Sequence, residues 1–216
     1  MIRFFDLLFS MLGLILLFPF LLLIAIAVAA DSRGGIFYLQ SRVGKNDRDF
    51  LLIKFRTMHT GADKQGGLTL GDQDRRITRT GVFLRKMKLD ELPQLINVLK
   101  GDMSLVGPRP ELRKYVQLYS EEQRKVLLYR PGLTDFASLE YIDEGEILGR
   151  SADPEKTYIE EIMPAKLELN QKYLRDPGLL NYFRVIGLTI SKIFRENPTR
   201  NTALRMAHDE ENVNDS

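Results

Sequence analysis

The chain has no cysteine. Disulfides, thiolate catalysis and cysteine-ligated zinc are therefore excluded. Histidine is almost as scarce. Only His59 and His208 are present, far apart in sequence, and His208 lies in a polar tail. No nucleophile motif accompanies His59, so nothing signals a Ser-His-Asp arrangement. Acid–base or nucleophilic work falls mainly to carboxylates, lysines and tyrosines. An excess of one charge is missing too: 31 Lys and Arg against 29 Asp and Glu leave a net +2 over 216 residues. Bulk charge gives no reason to expect nucleic acid as a partner. No internal repeat is evident. The length suits one membrane-attached segment plus one modest domain.

What is present in quantity is an uncharged apolar run. Leu7 to Ala30 holds 24 residues without a formal charge, long enough to cross the hydrocarbon core of a bilayer. Three readings compete. Ala27-Val28-Ala29 resembles a signal-peptide cleavage site, but the run is too long for an h-region and Asp6 sits beside Arg3 in the n-region. A plain spanning anchor is the second. The third is a re-entrant helix–break–helix, with the break at Pro19, where a proline removes one backbone bond and clashes with the preceding turn. Arg3 lies at one end and Arg33, Arg42 and Lys45 at the other, so the positive-inside rule does not choose.

Beyond a turn-rich exit at Asp31 to Gly35, Ile36–Gln40 and Phe50–Phe55 read as strands joined through Gly44-Lys45-Asn46-Asp47. Alternation in the second strand places Lys54 and Arg56 on one side and Phe55 on the other. They are either a solvated face or a phosphate-binding pair. Thr60 to Arg76 has little periodicity and reads as a mobile loop. Arg79 to Lys88 is basic and partly apolar, either an ordinary surface helix or one lying against anionic headgroups. Ser120-Glu121-Glu122-Gln123 has the capping-box pattern and starts a helix through Tyr129. Leu133 to Tyr141 reads as extended or looped, and Thr157 to Leu174 as helical but interrupted at Pro164. Leu179 to Phe194 is a helix, packed in the core or lying at a membrane interface. Glu196 to Ser216 is polar and expected to be disordered.

Lys86 to Pro110 carries the chemistry. Asp90 and Glu91 are adjacent, Pro93 suits a first helical turn, and Leu92, Leu95, Ile96 and Leu99 form one apolar face. Gly101 is the expected helix terminator. Asp90 is thus expected near a helix N-cap, and Arg109 stands between Pro108 and Pro110. One reading is an N-capped helix and a proline-rich turn. The other is a phosphate site: a helix N-terminus, one carboxylate to attack phosphorus, one to hold a divalent metal, and an arginine fork.

In order and spacing, several segments resemble the bacterial sugar transferases, the monotopic phosphoglycosyl transferases. They are the apolar run with Pro19, Phe37 to Gly44, Lys54-Phe55-Arg56-Thr57-Met58, Leu89 to Leu95, Asn97 to Pro110, and Arg130-Pro131-Gly132-Leu133-Thr134. The resemblance implies an α+β fold: a re-entrant membrane segment over 1–32, then a small, mostly helical catalytic domain over 33–195. That domain would carry a short β-hairpin and interfacial amphipathic helices, and a disordered tail would cover 196–216. It places the protein at the bacterial inner membrane with its catalytic domain on the cytoplasmic face. It implies that Asp90 attacks the β-phosphorus of a UDP-sugar and releases UMP. The sugar phosphate then passes to polyprenyl (undecaprenyl) phosphate, the first membrane step of glycan assembly. Glu91 would ligate Mg²⁺, and Lys54, Arg56, Arg85 and Arg109 would bind substrate. The expected partners are UDP-sugar, polyprenyl phosphate and membrane lipid, with a homodimer allowed and no nucleic acid.

The chain departs from the family at two points. Phe18 stands where the family commonly has serine before the membrane proline. Asp135-Phe136-Ala137-Ser138 replaces a frequent Gly-Trp-Ala-Gln. Two other classes compete with the transferase. A non-catalytic membrane subunit that binds prenyl phosphate or organises glycan assembly has little use for Asp90, Glu91 and Arg109 together. A metal-dependent nucleotide-sugar hydrolase would release sugar phosphate without a lipid acceptor.

Overall fold

The computed structural model describes residues 1–62, 74–141 and 144–195, with side chains as far as Lys192. Most of the loop expected at Thr60 to Arg76, and all of the tail from 196, lie outside the described residues.

The apolar run forms helix α1, Ile2–Asp31. At 1.5 Å per residue it is about 45 Å long. Among the described residues it is the one helix long and apolar enough to cross a membrane. The expected break at Pro19 does not interrupt it: Pro19 lies inside α1, with helix on both sides. A proline removes only one N–H donor, and the flanking turns keep theirs.

One face of α1 packs on the rest of the chain along its length. Asp6 and Ser10 near the start and Ile24 and Val28 near the end are buried, whereas Leu12, Ile15, Leu16, Phe18 and Leu23 are exposed. At the start, Arg3 donates to the carbonyls of Val98 (2.7 Å) and Leu99 (3.2 Å). The Asp6 carboxylate accepts from Ser104 Oγ, Leu105 N–H and Tyr182 OH at 2.9, 2.9 and 3.0 Å. At the other end, Arg56 donates to the carbonyls of Ser32 (2.6 Å) and Arg33 (2.9 Å), and Asp31 accepts from Thr80 N–H at 2.8 Å.

The expected hairpin is longer than its apolar pattern suggests. Strands β1 (Phe37–Val43) and β2 (Asp49–Phe55) pair antiparallel from Phe37↔Phe55 to Val43↔Asp49. Helix α2 spans Arg79–Lys86 and α3 spans Gln94–Lys100. Gly101 ends α3 with φ of 95°, as its expected role requires. Leu52 of β2 packs with Val98 and Met103. Buried Asn97 ties α3 to β2, donating to Leu51 O at 2.8 Å and accepting from Ile53 N–H at 3.0 Å. Part of a sheet edge is thereby satisfied by a side chain.

A second sheet escapes the sequence. Strand β3 (Ser104–Val106) pairs parallel with β4 (Gly132–Thr134), and each is three residues long. Between them lie α4 (Arg113–Val116) and α5 (Glu121–Arg124). The Ser120–Gln123 capping box is formed as expected. A 3₁₀ turn carries the chain from α5 to Leu128. The segment expected to be extended or looped from Leu133 to Tyr141 is extended only as far as Thr134 and then turns helical: α6 is Phe136–Glu140, capped by Asp135.

Helices α7 (Glu144–Arg150), α8 (Pro154–Thr157) and α9 (Met163–Leu174) complete the domain's far side. The interruption expected at Pro164 is a π-helical turn, Tyr158–Ile162, just ahead of it. Such a turn accommodates the missing proline N–H without ending the helix. Tyr115, Val126, Leu148, Tyr158, Ile162 and Leu167 form the core here. Helix α10 (Leu179–Arg195) packs into the core on one face, where Tyr182 and Val185 are fully buried, and leaves Leu180, Leu188 and Ile190 exposed.

Gly132 is where β4 meets the chain leaving β3. A Cβ there would lie 2.1 Å from the nitrogen and 2.4 Å from the carbonyl oxygen of Gly107. Backbone cannot yield as a side chain can, so Gly132→Ala is expected to lower stability by about 3 kcal/mol. The denaturant midpoint of the detergent-solubilised protein measures this, and an unchanged midpoint refutes it.

Candidate active site

Helix α2 ends at Met87. Lys88 adopts a left-handed conformation, φ 55°, and Leu89–Glu91 form a single 3₁₀ turn. Asp90 is therefore not the N-cap of the following helix. That position is taken by Pro93, ahead of α3. The left-handed residue is a local strain of the kind that concentrates at functional sites. Beyond it, Glu91 meets Lys54 of β2 and Arg109 of the loop after β3, and Asp90 lies within electrostatic reach of Lys54.

Glu91 is the centre of an ion triad. Its Oε1 accepts from Lys54 Nζ at 2.9 Å and from Arg109 Nη2, and its Oε2 accepts from Arg109 Nη1 at 3.3 Å. The Glu91 and Lys54 side chains retain 14% and 16% of their exposure, and Arg109 35%. Burial pushes the Glu91 carboxyl up, but Arg109 and Lys54 outweigh it and hold it well below the usual carboxylate range. Burial also lowers the Lys54 ammonium, with Arg109 adding to the effect and Glu91 opposing it. The charge on Glu91 raises Arg109 above its ordinary value.

Asp90 has the opposite environment. It is buried, with 6% exposure. Burial first, and the charge on Glu91 second, push its carboxyl above its ordinary value, while Lys54, Arg85 and Lys88 pull the other way. Two neighbouring carboxylates are thus driven apart: one firmly ionised and paired, one poised nearer neutrality. That division of roles is a mark of catalytic carboxylates.

The loop after β3 is braced on both sides. Val43 N–H donates to Glu111 O at 2.9 Å. Glu111 accepts from Arg42 at 3.2 Å and from the Tyr158 hydroxyl. On the other side, Arg109 N–H donates to Asp135 Oδ2 at 3.1 Å. Fully buried Asp135 also caps α6 through Ser138 N–H.

Of the residues singled out in the sequence, Lys54, Glu91 and Arg109 are in direct contact, and Asp90 and Arg85 lie within electrostatic reach of one another. Arg85 also donates to Thr57 Oγ1 at 3.4 Å. Arg56 does not share a side with Lys54 as alternation suggested. β2 ends at Phe55, and the Arg56 guanidinium turns to the C-terminal end of α1, donating to the carbonyls of Val28 in its last turn and of Ser32 and Arg33 just beyond it. Sequence reasoning noted Asp135 only as a departure from the family pattern, with no role at the site, and passed over Glu111. An Asp before Phe136-Ala137 is a legible N-cap signal, but nothing local announces that its carboxylate reaches Arg109.

The two adjacent carboxylates offer hard oxygen donors. Among the described residues no group of three or more Asp, Glu, His or Cys is placed to hold a metal. Such a pair fits Mg²⁺, which keeps several waters and takes its other ligands from substrate phosphates. It does not fit an all-protein cage.

Removing the Glu91 charge leaves two cations without their anion. Glu91→Gln is expected to cost about 2 kcal/mol of stability, less than a fully buried pair because Arg109 stays partly exposed. Thermal unfolding reads this, and a variant as stable as the parent contradicts it.

The family profile described as bacterial sugar transferase matches residues 1–196. An Aeromonas hydrophila UDP-N-acetylgalactosamine-undecaprenyl-phosphate N-acetylgalactosaminephosphotransferase is 38% identical over 191 residues, covering 87% of this chain and 42% of the relative. A Komagataeibacter xylinus undecaprenyl-phosphate glucose phosphotransferase is 36% identical over 203 residues, 90% of this chain and 36% of the relative. A Caulobacter vibrioides UDP-glucose:undecaprenyl-phosphate glucose-1-phosphate transferase is 34% identical over 178 residues, 81% and 62%. The chain spans less than half the length of the first two of these relatives. With a profile that covers nearly all of it, and with relatives of these names matched along most of its length, the chain belongs to the bacterial sugar transferase family.

Proposed function

We propose that the chain moves a sugar-1-phosphate from a UDP-sugar to polyprenyl phosphate through a covalent intermediate on Asp90. The observation that carries this is the divided carboxylate pair, with Glu91 locked to Lys54 and Arg109 and Asp90 left with a raised pKa. A carboxylate oxygen of Asp90 bonds to the β-phosphorus, the bond from that phosphorus to the bridging oxygen breaks, and UMP leaves with the electron pair. An oxygen of polyprenyl phosphate then attacks the same phosphorus and the aspartyl bond breaks. The product is a polyprenyl diphosphate sugar, and Asp90 is regenerated. Such displacements need charge neutralisation and in-line placement more than proton transfer. Arg109 and Lys54 supply fixed positive charge, with Arg85 nearby and the guanidinium of Arg109 suited to paired phosphate oxygens. Glu91, with Asp90 beside it, would hold Mg²⁺, which supplies further neutralisation of the diphosphate when bound.

The acceptor lives in a bilayer, so the site must reach a membrane surface. Both ends of α1 are tied to the same domain, Arg3 and Asp6 at one end and Asp31 at the other. A helix crossing the bilayer would carry its two ends to opposite faces. These contacts support both ends of α1 lying on one side of the membrane, and on that ground we read α1 as re-entrant, with the cytoplasmic face of the inner membrane as its side. Exposed apolar residues of α10 support an interfacial placement for that helix.

Three outcomes are expected. In nanodiscs with Mg²⁺ and polyprenyl phosphate, one member of a UDP-sugar panel yields UMP, and Asp90→Asn reduces turnover by roughly a thousand-fold or more. Full activity in that variant would falsify the mechanism. The same variant is expected to unfold at the same temperature as the parent or higher at pH 7. The raised pKa of Asp90 favours its protonated form in the folded state, so its contribution to stability falls as pH rises through that pKa. Turnover has the opposite slope, rising with pH through the same titration because only the carboxylate attacks. For topology, the absence of native cysteine makes Ile2→Cys and Arg33→Cys clean probes. Both should react with an impermeant thiol reagent from the cytoplasmic side only, and labelling from opposite sides would establish a spanning helix.

A further inference from the structure

Pro108 and Pro110 carry no N–H, so Arg109 provides the one backbone donor in this three-residue mount. That donor is not met by a strand. Beyond β3, Gly107 N–H donates to Thr134 O at 3.1 Å, and Pro108 O turns back to accept from Gly132 N–H at 2.9 Å. The next donor, Arg109 N–H, goes to a side chain instead, the Oδ2 of Asp135 at 3.1 Å. The other oxygen of the same carboxyl caps α6 through Ser138 N–H. Asp135 is fully buried, so neither bond is shared with solvent. The peptide that carries Arg109 is thus held at its carbonyl by Gly132 and at its N–H by a buried carboxyl rooted in a different element.

We propose that Asp135 is a positioning residue for Arg109, and through it for the diphosphate of the donor. This rests on the transferase reading above. Asp135 does not touch the phosphates. It orients the Arg109 peptide, so that the guanidinium is held in place before the donor arrives and less ordering remains to be done on binding. Without it, the Arg109 N–H becomes a donor lacking its partner, and the mount keeps only the holds on its carbonyls, Gly132 N–H on Pro108 O and Arg42 on Pro110 O. The cost falls on nucleotide affinity, not on the chemistry at Asp90.

Asp135→Ser separates the two bonds. A serine hydroxyl still caps α6 but is too short to reach Arg109. The test is a double-mutant cycle on the full chain in nanodiscs, using Asp135→Ser, Arg109→Gln and the pair. It reads UDP affinity with Mg²⁺ and, separately, the unfolding temperature. Asp135→Ser is expected to weaken UDP roughly ten-fold, and to have little further effect once Arg109 is already Gln. KM for the UDP-sugar should rise by a similar factor with kcat largely kept. Equal effects in both backgrounds, or unchanged UDP affinity with a lowered unfolding temperature, would show a purely structural cap and overturn the proposal. If Asp135→Ser does not fold, Asp135→Asn is used in its place, since it keeps the length and loses one of the two acceptors. A parent that binds UDP and releases UMP while the cycle is additive defeats only this inference. A parent that does neither defeats the transferase reading and this inference together.

Discussion

The arrangement depends on where one carboxylate finds its counter-charges. Glu91 sits in a 3₁₀ turn, Lys54 on β2, and Arg109 on the loop after β3. None of the three is near another in sequence. A buried carboxylate is costly unless paired and hydrogen-bonded, so Glu91 makes the positions of the other two mutually binding. The hairpin, the turn after α2 and the arginine mount must come together, or a charge is left in a low-dielectric interior. Asp90 then inherits a particular environment as the neighbour of a group whose charge is assured. Its raised pKa follows from burial and from Glu91, without any special partner of its own.

Helix α1 enters the same construction. Its last turn holds α2 through Asp31 and Thr80, and it receives the Arg56 guanidinium from just beyond β2. α2 leads straight to Asp90, and β2 carries Lys54. α1 thus serves as a frame against which Asp90 and Lys54 are placed, besides presenting an apolar face. At the other end, Arg3 satisfies carbonyls at the close of α3, and Asp6 reaches β3 and α10. Arg3, Asp6 and Asp31 in an otherwise apolar helix are explained by these contacts: each has its hydrogen bonds met by the domain, whereas the buried Ser10 hydroxyl has no hydrogen-bond partner among the described residues.

Arg56 illustrates why residue type and spacing underdetermine a role. A Lys-x-Arg on a strand predicts two cations facing one substrate. Here the strand stops between them, and the arginine closes a helix C-terminus, a position that favours a cation as much as a phosphate does. Asp135 is the reverse case. By pattern it is an ordinary N-cap, yet its second oxygen holds the peptide of the arginine that faces the site.

Much was determined by the sequence alone. The length of the apolar run, the hairpin flanked by its turn, the Ser120 capping box and the Gly101 terminator are local signals, decided by residues within a few positions of one another. The order of the Asp90–Glu91, Pro108-Arg109-Pro110 and Arg130-Pro131-Gly132 segments was enough to point to the family. Only the tertiary structure decided the rest. β3 and β4 are too short to show alternation, and they pair across the two helices between them. Helix α6 was hidden because five residues give too little periodicity to read. The division of labour between Asp90 and Glu91 depends on burial and on cations brought from positions 54 and 109. Burial and long-range charge belong to the folded chain as a whole, so no window of sequence contains them.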